Sequence, residues 1–299
     1  MDFFKYIHAV GTGPKGNRDL SFDEAYDMMT QILHQSIPSE QIAAFLLGWR
    51  LKPETTEEFL GALAACDANI SPRDVPNSLE LGYPFDGKAK NPYIFPLVAK
   101  ALEKQSLNLV ITGDERQPAK GGITIKDIVS QIELASNIYY FDRADFFEKL
   151  HNLTDIRNKL GLRTGFNTIE KLPGIAKSQY AITGVFHKPY VKKYAAIFSK
   201  RYKRLALIQG NEGTPELFSK GRLWLIENDD ITEHIIEPEK FGIHYKKSWE
   251  KITLEDSIQQ LTNPSDEYYK LAQFNAALYL FVTEHAPTIE DAYDIIIQR

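Results

Sequence analysis

Leu107-Asn108-Leu109-Val110-Ile111-Thr112 decides the fold, because six residues of mostly aliphatic character with no charge are too short for a helix core and read as a fully buried strand. Three more runs share that texture: Asn137–Phe141, Tyr180–Val185 and Leu205–Gln209. Helical patterns fall between or beside them, at about Ile94–Gln105, Lys126–Leu134, Phe146–Leu160 and Pro189–Arg201. Strands buried on both faces and alternating with helices imply a mostly parallel central sheet covered by helices, an α/β arrangement. Arg222–Glu227 and Ile231–Ile236, joined through Asn228-Asp229-Asp230, read as an antiparallel hairpin, and two further helices are expected to finish the chain.

The first seventy residues have a different texture and read as a small all-helical domain. Gly11-Thr-Gly-Pro-Lys-Gly16 is a loop; it lacks the Gly-Lys-Ser/Thr ending and the preceding strand of a phosphate-binding P-loop. Ser21 with Glu24 forms a capping-box signature for a helix through about His34. Pro38-Ser39-Glu40 opens a second helix to Leu51, and Lys52-Pro53-Glu54-Thr55 breaks it and caps a third, Thr56–Asn69. Ser71–Pro76 reads as a linker. The expected division is 1–72 helical, joined in space by helices around 146–175, and 76–299 α/β.

Of the 299 residues, 43% are hydrophobic and 25% charged, ordinary values for a globular protein able to bury a large core. The single cysteine, Cys66, excludes a disulfide framework and a cysteine-cluster zinc site. His8, His34 and His151 have no metal-ligand spacing, and His244-Tyr245 reads as a loop. The apolar runs around Ile42–Leu47 and Ala276–Val282 are too short to span a bilayer, so a cytoplasmic location with no membrane partner is expected.

Net charge is −5, but it is segregated: residues 156–211 hold twelve Lys/Arg and one acid, Glu170. Within them, Pro189 opens a helix whose apolar stripe is Val191, Tyr194, Ala195, Phe198 and Tyr202. Lys192, Lys193, Lys200, Lys203 and Arg204 project from the opposite side, with no acid at i±3 or i±4. The pattern predicts an anion-binding surface, with exposed members of Phe186, Tyr190, Tyr194 and Tyr202 available for base stacking.

Several stretches resemble the anthranilate phosphoribosyltransferases and related nucleoside phosphorylases of glycosyltransferase family 3. Ser21-Phe-Asp-Glu-Ala through Gln41-Ile-Ala-Ala-Phe-Leu-Leu-Gly-Trp-Arg-Leu-Lys-Pro-Glu-Thr55 looks like that family's N-terminal helices. Ile156-Arg-Asn-Lys-Leu-Gly-Leu-Arg-Thr-Gly-Phe-Asn167 matches its hinge, the most specific of these motifs. Gly184-Val-Phe-His187 and Leu205-Ala-Leu-Ile-Gln-Gly-Asn-Glu-Gly213 match its later strands. The opening Ala9–Leu20 is more like the divergent YbiB-like branch, also called the second TrpD family. Members of that branch resemble the transferase in fold and are associated with sequence-independent nucleic-acid binding as homodimers.

The resemblance implies a site for phosphoribosyl pyrophosphate (PRPP) and Mg²⁺, and three of its four functional motifs are altered here. The Gly-Thr-Gly-Gly-Asp phosphate turn corresponds to Leu81-Gly82-Tyr83-Pro84-Phe85-Asp86-Gly87, where Pro84 has no N–H and Tyr83 and Phe85 are bulky. The Lys-His-Gly-Asn motif corresponds to Ile111-Thr112-Gly113-Asp114. The Asp-Glu pair that binds Mg²⁺ becomes Pro215-Glu216, and Glu216 reads as a surface acid rather than a lone metal ligand. Arg157 matches the arginine that contacts anthranilate, although it and Arg163 also stand near a helix C-terminus, where cations are favoured anyway. The expectation is a degenerate transferase fold without cofactor. It binds single-stranded DNA or RNA non-specifically through Arg157, Lys159, Arg163, Lys188, Lys192, Lys193, Lys200, Arg201, Lys203 and Arg204. The alternative is an active phosphoribosyltransferase using PRPP and Mg²⁺, with Arg157 and Glu216 as remnants of its site. The homodimer contact is expected at Phe45, Leu46 and Trp49, which fit a domain core equally well.

Overall fold

The computed structural model describes residues 2–298, so Met1 and Arg299, the outer ends of the two expected spans, lie outside it. Four helices lead: α1 Phe4–Gly11, α2 Phe22–Leu33, α3 Ser39–Leu51 and α4 Thr56–Asp67. Both anticipated caps are reciprocal, Ser21 with Glu24 and Thr55 with Glu58. Glu58 does more than cap. Fully buried, it accepts from the Leu20 N–H and Trp49 Nε1 and pairs with Lys52 at 2.9 Å, tying α3, α4 and the α1–α2 loop together. Phe45, Leu46 and Trp49 are fully buried in this cluster; their core role is the one realised, and they present no apolar patch to a second copy.

The sheet has seven strands: β1 Ser78–Gly82, β2 Asn108–Gly113, β3 Ile138–Asp142, β4 Tyr180–Gly184, β5 Arg204–Ile208, β6 Gly221–Glu227 and β7 Asp230–Ile236. Their order is β3-β2-β1-β4-β5-β6-β7, the first five parallel and the last two an antiparallel hairpin on the edge. Alternation along each strand divides the interior. Val110, Ala181, Leu205 and Leu207 face one core, continuous with the N-terminal helices. Leu109, Ile111, Ile182, Ala206 and Ile208 face the other, filled by the Phe95–Leu102 and Asp266–Val282 helices.

Some elements differ from the sequence reading. The central strand β1 was not among the four runs, because Glu80 interrupts its aliphatic pattern; Glu80 is buried, accepting from Tyr202 Oη at 2.9 Å and the Gly174 N–H at 3.0 Å. The Phe146–Leu160 helix is three short ones, Arg143–Phe146, Glu148–His151 and Thr154–Leu160, the first break falling where Phe147 leaves helical geometry. The Lys126–Leu134 helix is only Ile125–Val129. Three helices, not two, end the described chain: Leu254–Thr262, Asp266–Val282 and Ile289–Ile297, each with its own Ser or Thr cap. Among the described residues no helix is long and apolar enough to cross a membrane.

Candidate binding cleft

Strand order reverses between β1 and β4, whose connections leave in opposite directions, and a crevice opens beyond the carboxyl ends of strands at such a point. Here it is a cleft of about 650 Å³. Its walls come from α3, α4 and the loop between them (Arg50, Phe59 and Glu54), the hinge 163–171, and the β4 loop running into the Pro189–Phe198 helix (Phe186, His187, Tyr190, Lys193, Tyr194). Pro84, Asp86, Glu212 and Gly213 complete the lining.

The cleft is cationic and aromatic. Lys193 Nζ donates to the Glu54 carbonyl at 2.7 Å and lies over the rings of Phe59 and Tyr190. Arg163 Nε donates to Asp86 at 2.9 Å, and Arg50 donates to the Arg163 carbonyl, linking helical bundle to hinge. Lys171 is buried with Nζ on the Gly184 carbonyl at 2.9 Å; burial pushes its ammonium down to about 8. Phe186 and Tyr190 are 52% and 48% exposed.

The stretch expected to correspond to the phosphate turn leaves the end of β1 as a tight loop. Gly82 closes β1 against Thr183, and Gly87 has φ +78° with no room for a side chain beside the Ile123 carbonyl. Asp86 reaches the cleft; Gly113 and Asp114 do not line it. Asp114 is buried under Arg143 and His151 Nδ1, the latter at 2.6 Å. Tyr83 and Phe85 do not block the turn by bulk: both rings point into the core, Tyr83 Oη to Glu216 at 3.0 Å and Phe85 under the Arg143 guanidinium. Pro84, which does line the cleft, has no N–H to offer.

Glu216 is not a surface acid. It is fully buried, accepting from Lys88 Nζ at 2.6 Å, Tyr83 Oη, the Ile94 N–H at 2.9 Å and Thr214 Oγ1. Lys88 is equally buried, donates also to the Pro92 carbonyl and sits 4.2 Å over the Phe218 ring. Burial pulls its ammonium below the usual lysine range, with Glu216 opposing. Every site on the carboxylate is taken from within, so these residues do not fit a Mg²⁺ clamp. Arg157 is likewise withdrawn, 1% exposed and bidentate on Glu170 at 2.7 and 2.9 Å, with Arg143 on the same carboxylate.

A model of the glycosyl transferase family helical bundle domain matches residues 5–69, and one of the glycosyl transferase family a/b domain matches residues 129–297. The chain belongs to the glycosyl transferase family. It is anthranilate phosphoribosyltransferase-like: that enzyme of Sulfurisphaera tokodaii is 23% identical over 94% of this chain and 87% of its own. An uncharacterized protein of Aquifex aeolicus is 27% identical over 97% of both. Anthranilate phosphoribosyltransferase from Saccharomyces cerevisiae, solved in complex with PRPP and Mg, shares the fold with a TM-score of 0.75 at 15% identity, covering 99% of this chain and 93% of that one.

On this transferase-family frame, seven of the ten cations predicted to hold nucleic acid are ion-paired among the described residues, and within the helix stripe itself Lys203 and Arg204 are. Acids remote in sequence supply the partners: Asp67 for Arg201, Glu233 for Lys188 at 2.7 Å, Glu284 for Lys203, and Glu227 for Arg204 at 2.9 Å. Lys159 pairs with Asp155 on the surface, four residues away. Lys192 and Lys200 are exposed, and among the described residues neither they nor Lys193 forms an ion pair with a carboxylate. Tyr194 and Tyr202 are buried, leaving Phe186 and Tyr190 as the exposed rings.

The sequence reading missed Lys88, Lys120 and Glu212. Lys120 Nζ donates to the Gly87 and Glu212 carbonyls at 2.5 and 3.0 Å and lies 3.8 Å from Asp86. The only signal available was a lysine directly after the altered phosphate turn.

Proposed function

We propose that this family member binds single-stranded nucleic acid without sequence preference and does not transfer ribose phosphate. The observation that carries the reading is the pair of exposed rings, Phe186 and Tyr190, on the wall of a cleft beside Lys193. Stacking on such rings is open to every base, and Lys192, Lys193 and Lys200 supply charge for the backbone. Lys188 and Lys203 add to it, because ion pairs this exposed are weak and exchange readily for phosphate. Arg157, Arg163, Arg201 and Arg204 are structural in this reading, each held by a carboxylate. Loss of transfer chemistry is supported by Pro84 in the phosphate turn and by the Lys88 ammonium on the surviving carboxylate, Glu216. Homodimerisation through the N-terminal helices belongs to the same reading, with Phe4, Phe22 and Tyr26 the large apolar side chains they leave exposed.

Anisotropy of a labelled oligothymidylate tests it. Contacts to about four to six phosphates would make log K fall with log salt at a slope of roughly −3 to −4. The triple variant Lys192→Glu, Lys193→Glu, Lys200→Glu, or Phe186→Ala with Tyr190→Ala, should lose binding while its melting temperature stays near that of the parent. Undiminished binding by both variants would refute this surface. The active-transferase reading, favoured by the full-length likeness to anthranilate phosphoribosyltransferases, makes the opposite prediction: PRPP with Mg²⁺ raises the melting temperature and oligonucleotide does not.

A further inference from the structure

The sheet ends on an open edge. β7 is its last strand and pairs with β6, in a register running from Glu227–Asp230 to Gly221–Ile236. Asn228 and Asp229, both at positive φ, make the two-residue turn between the strands, a geometry that closes on a hydrogen-bonded Glu227–Asp230 pair. Hydrogen-bonded and non-hydrogen-bonded pairs then alternate along the hairpin. Ile231, Glu233 and Ile235 fall at the non-bonded positions, so their N–H and C=O groups point away from β6. The Arg222 carbonyl fixes this phase: Arg222 stands opposite Ile235, yet its carbonyl turns the other way and accepts from the Gln209 N–H at 2.8 Å. Among the described residues no other element hydrogen-bonds to the backbone of these three. Ile231 and Ile235 are also 40% and 64% exposed. Open edges are usually guarded by lysine, proline or a bulge, and Asp230–Ile236 has none of them. Its central charge, Glu233, is drawn back over β6 by Arg222 Nε at 3.1 Å and Trp224 Nε1 at 2.7 Å.

We propose that this edge is a self-association surface, on which β7 of a second copy of this chain pairs antiparallel about a two-fold axis through Glu233. That axis sets Ile231 of each copy opposite Ile235 of the other, and Glu233 opposite its equivalent. These are the residues with free backbone groups, and each facing pair exchanges both of its N–H···O bonds. The isoleucines cover one another on the face that each copy leaves exposed. Charge agrees at the ends. Asp229 and Asp230 are exposed and, among the described residues, form no ion pair. The axis brings them opposite Glu237 and Ile236 of the other copy, where Lys220 at 2.7 Å and Lys240 both hold Glu237 and leave one cation in excess. Each Glu233 likewise faces two cations, Lys188 and Arg222, so two of them meet without net repulsion. The contact is isologous, uses neither the N-terminal helices nor the residues lining the cleft, and stands independently of the nucleic-acid reading. A single strand pair is small for an interface, so the dimer is reversible and concentration-dependent.

Residue-resolved amide exchange of the full chain is followed from micromolar to submillimolar protein. The Ile231, Glu233 and Ile235 amides should gain protection with concentration, while Thr232 and His234, already bonded to β6, should not change. Ile235→Pro deletes an outward N–H, which an edge strand tolerates, and should weaken association through β7 roughly tenfold with an unchanged circular dichroism spectrum. The double variant Ile231→Cys, Ile235→Cys should form dimers linked 231 to 235 on mild air oxidation. Either single variant should not, because its cysteines would stand about 14 Å apart across the axis. Cys66 is buried and takes no part. If Ile235→Pro is unfolded, exchange in the parent and the cysteine pair decide. Edge amides indifferent to concentration, or links of 231 to 231 or of 235 to 235, would overturn the proposal. Protection given only by an added extended peptide would also overturn it, by making the edge a site for a foreign strand.

Discussion

Replacing Lys88 with Met keeps the aliphatic stem and deletes the ammonium that neutralises Glu216. The carboxylate would keep Tyr83 Oη, the Ile94 N–H and Thr214 Oγ1 but lose its ion pair, in surroundings with no solvent access. Breaking a buried pair by removing one partner costs about 3–5 kcal/mol, because the remaining charge is uncompensated. Unfolding entropy of about 2.1 cal/mol/K per residue gives roughly 0.6 kcal/mol per degree for 299 residues, so the melting temperature should fall by about 5–8 °C. Adding Glu216→Gln to the same chain removes the stranded charge and should recover at least half of the loss. Both variants are compared with the parent by urea titration and thermal melt, with and without millimolar Mg²⁺. A single-variant loss below about 1 kcal/mol, smaller than a buried pair commands, would refute the reasoning. So would restoration by Mg²⁺, because it would mean that Glu216 is open to solvent and chelates once Lys88 is gone.

Two other buried clusters give clear expectations. Burial pushes the Glu80 carboxyl up from 4.5 to about 7, so its favourable contribution is complete below the unfolded value and is lost as pH rises through 7. Glu80→Gln should match the parent near pH 4 and be more stable by on the order of 3 kcal/mol at pH 8, read by denaturant titration at both pH values; equal stability throughout would contradict it. Glu170→Gln should destabilise more than Arg157→Met, since Glu170 holds both Arg143 and Arg157 whereas loss of Arg157 leaves the carboxylate paired. Arg157→Met should also leave oligonucleotide affinity within about twofold, because a residue 1% exposed touches no ligand. A large affinity loss in a folded Arg157→Met protein would return Arg157 to the binding surface.

The sequence by itself determined the elements whose causes are local. Uncharged aliphatic runs at 107–112, 180–185 and 205–209 specify strands buried on both faces, whatever covers them. Ser21–Glu24 and Thr55–Glu58 cap their helices through contacts three residues apart. The missing backbone donor at Pro84 was legible too, because a proline lacks its N–H in any fold. Charge was different. The absence of acids around Lys188–Arg204 was a true statement about neighbours in the chain and a misleading one about neighbours in space. Asp67 comes from the end of α4, Glu227 and Glu233 from the β6–β7 hairpin and Glu284 from just beyond the Asp266–Val282 helix, all brought beside the basic segment by the tertiary fold. Glu216 likewise looks like any acid until a lysine 128 positions earlier is brought to 2.6 Å of it. Hydrophobic periodicity acts over one turn or one pleat and can be read along a line, whereas an ion pair is defined by distance alone. Which charges remain free, and therefore what this cleft can hold, was decided only by the tertiary structure.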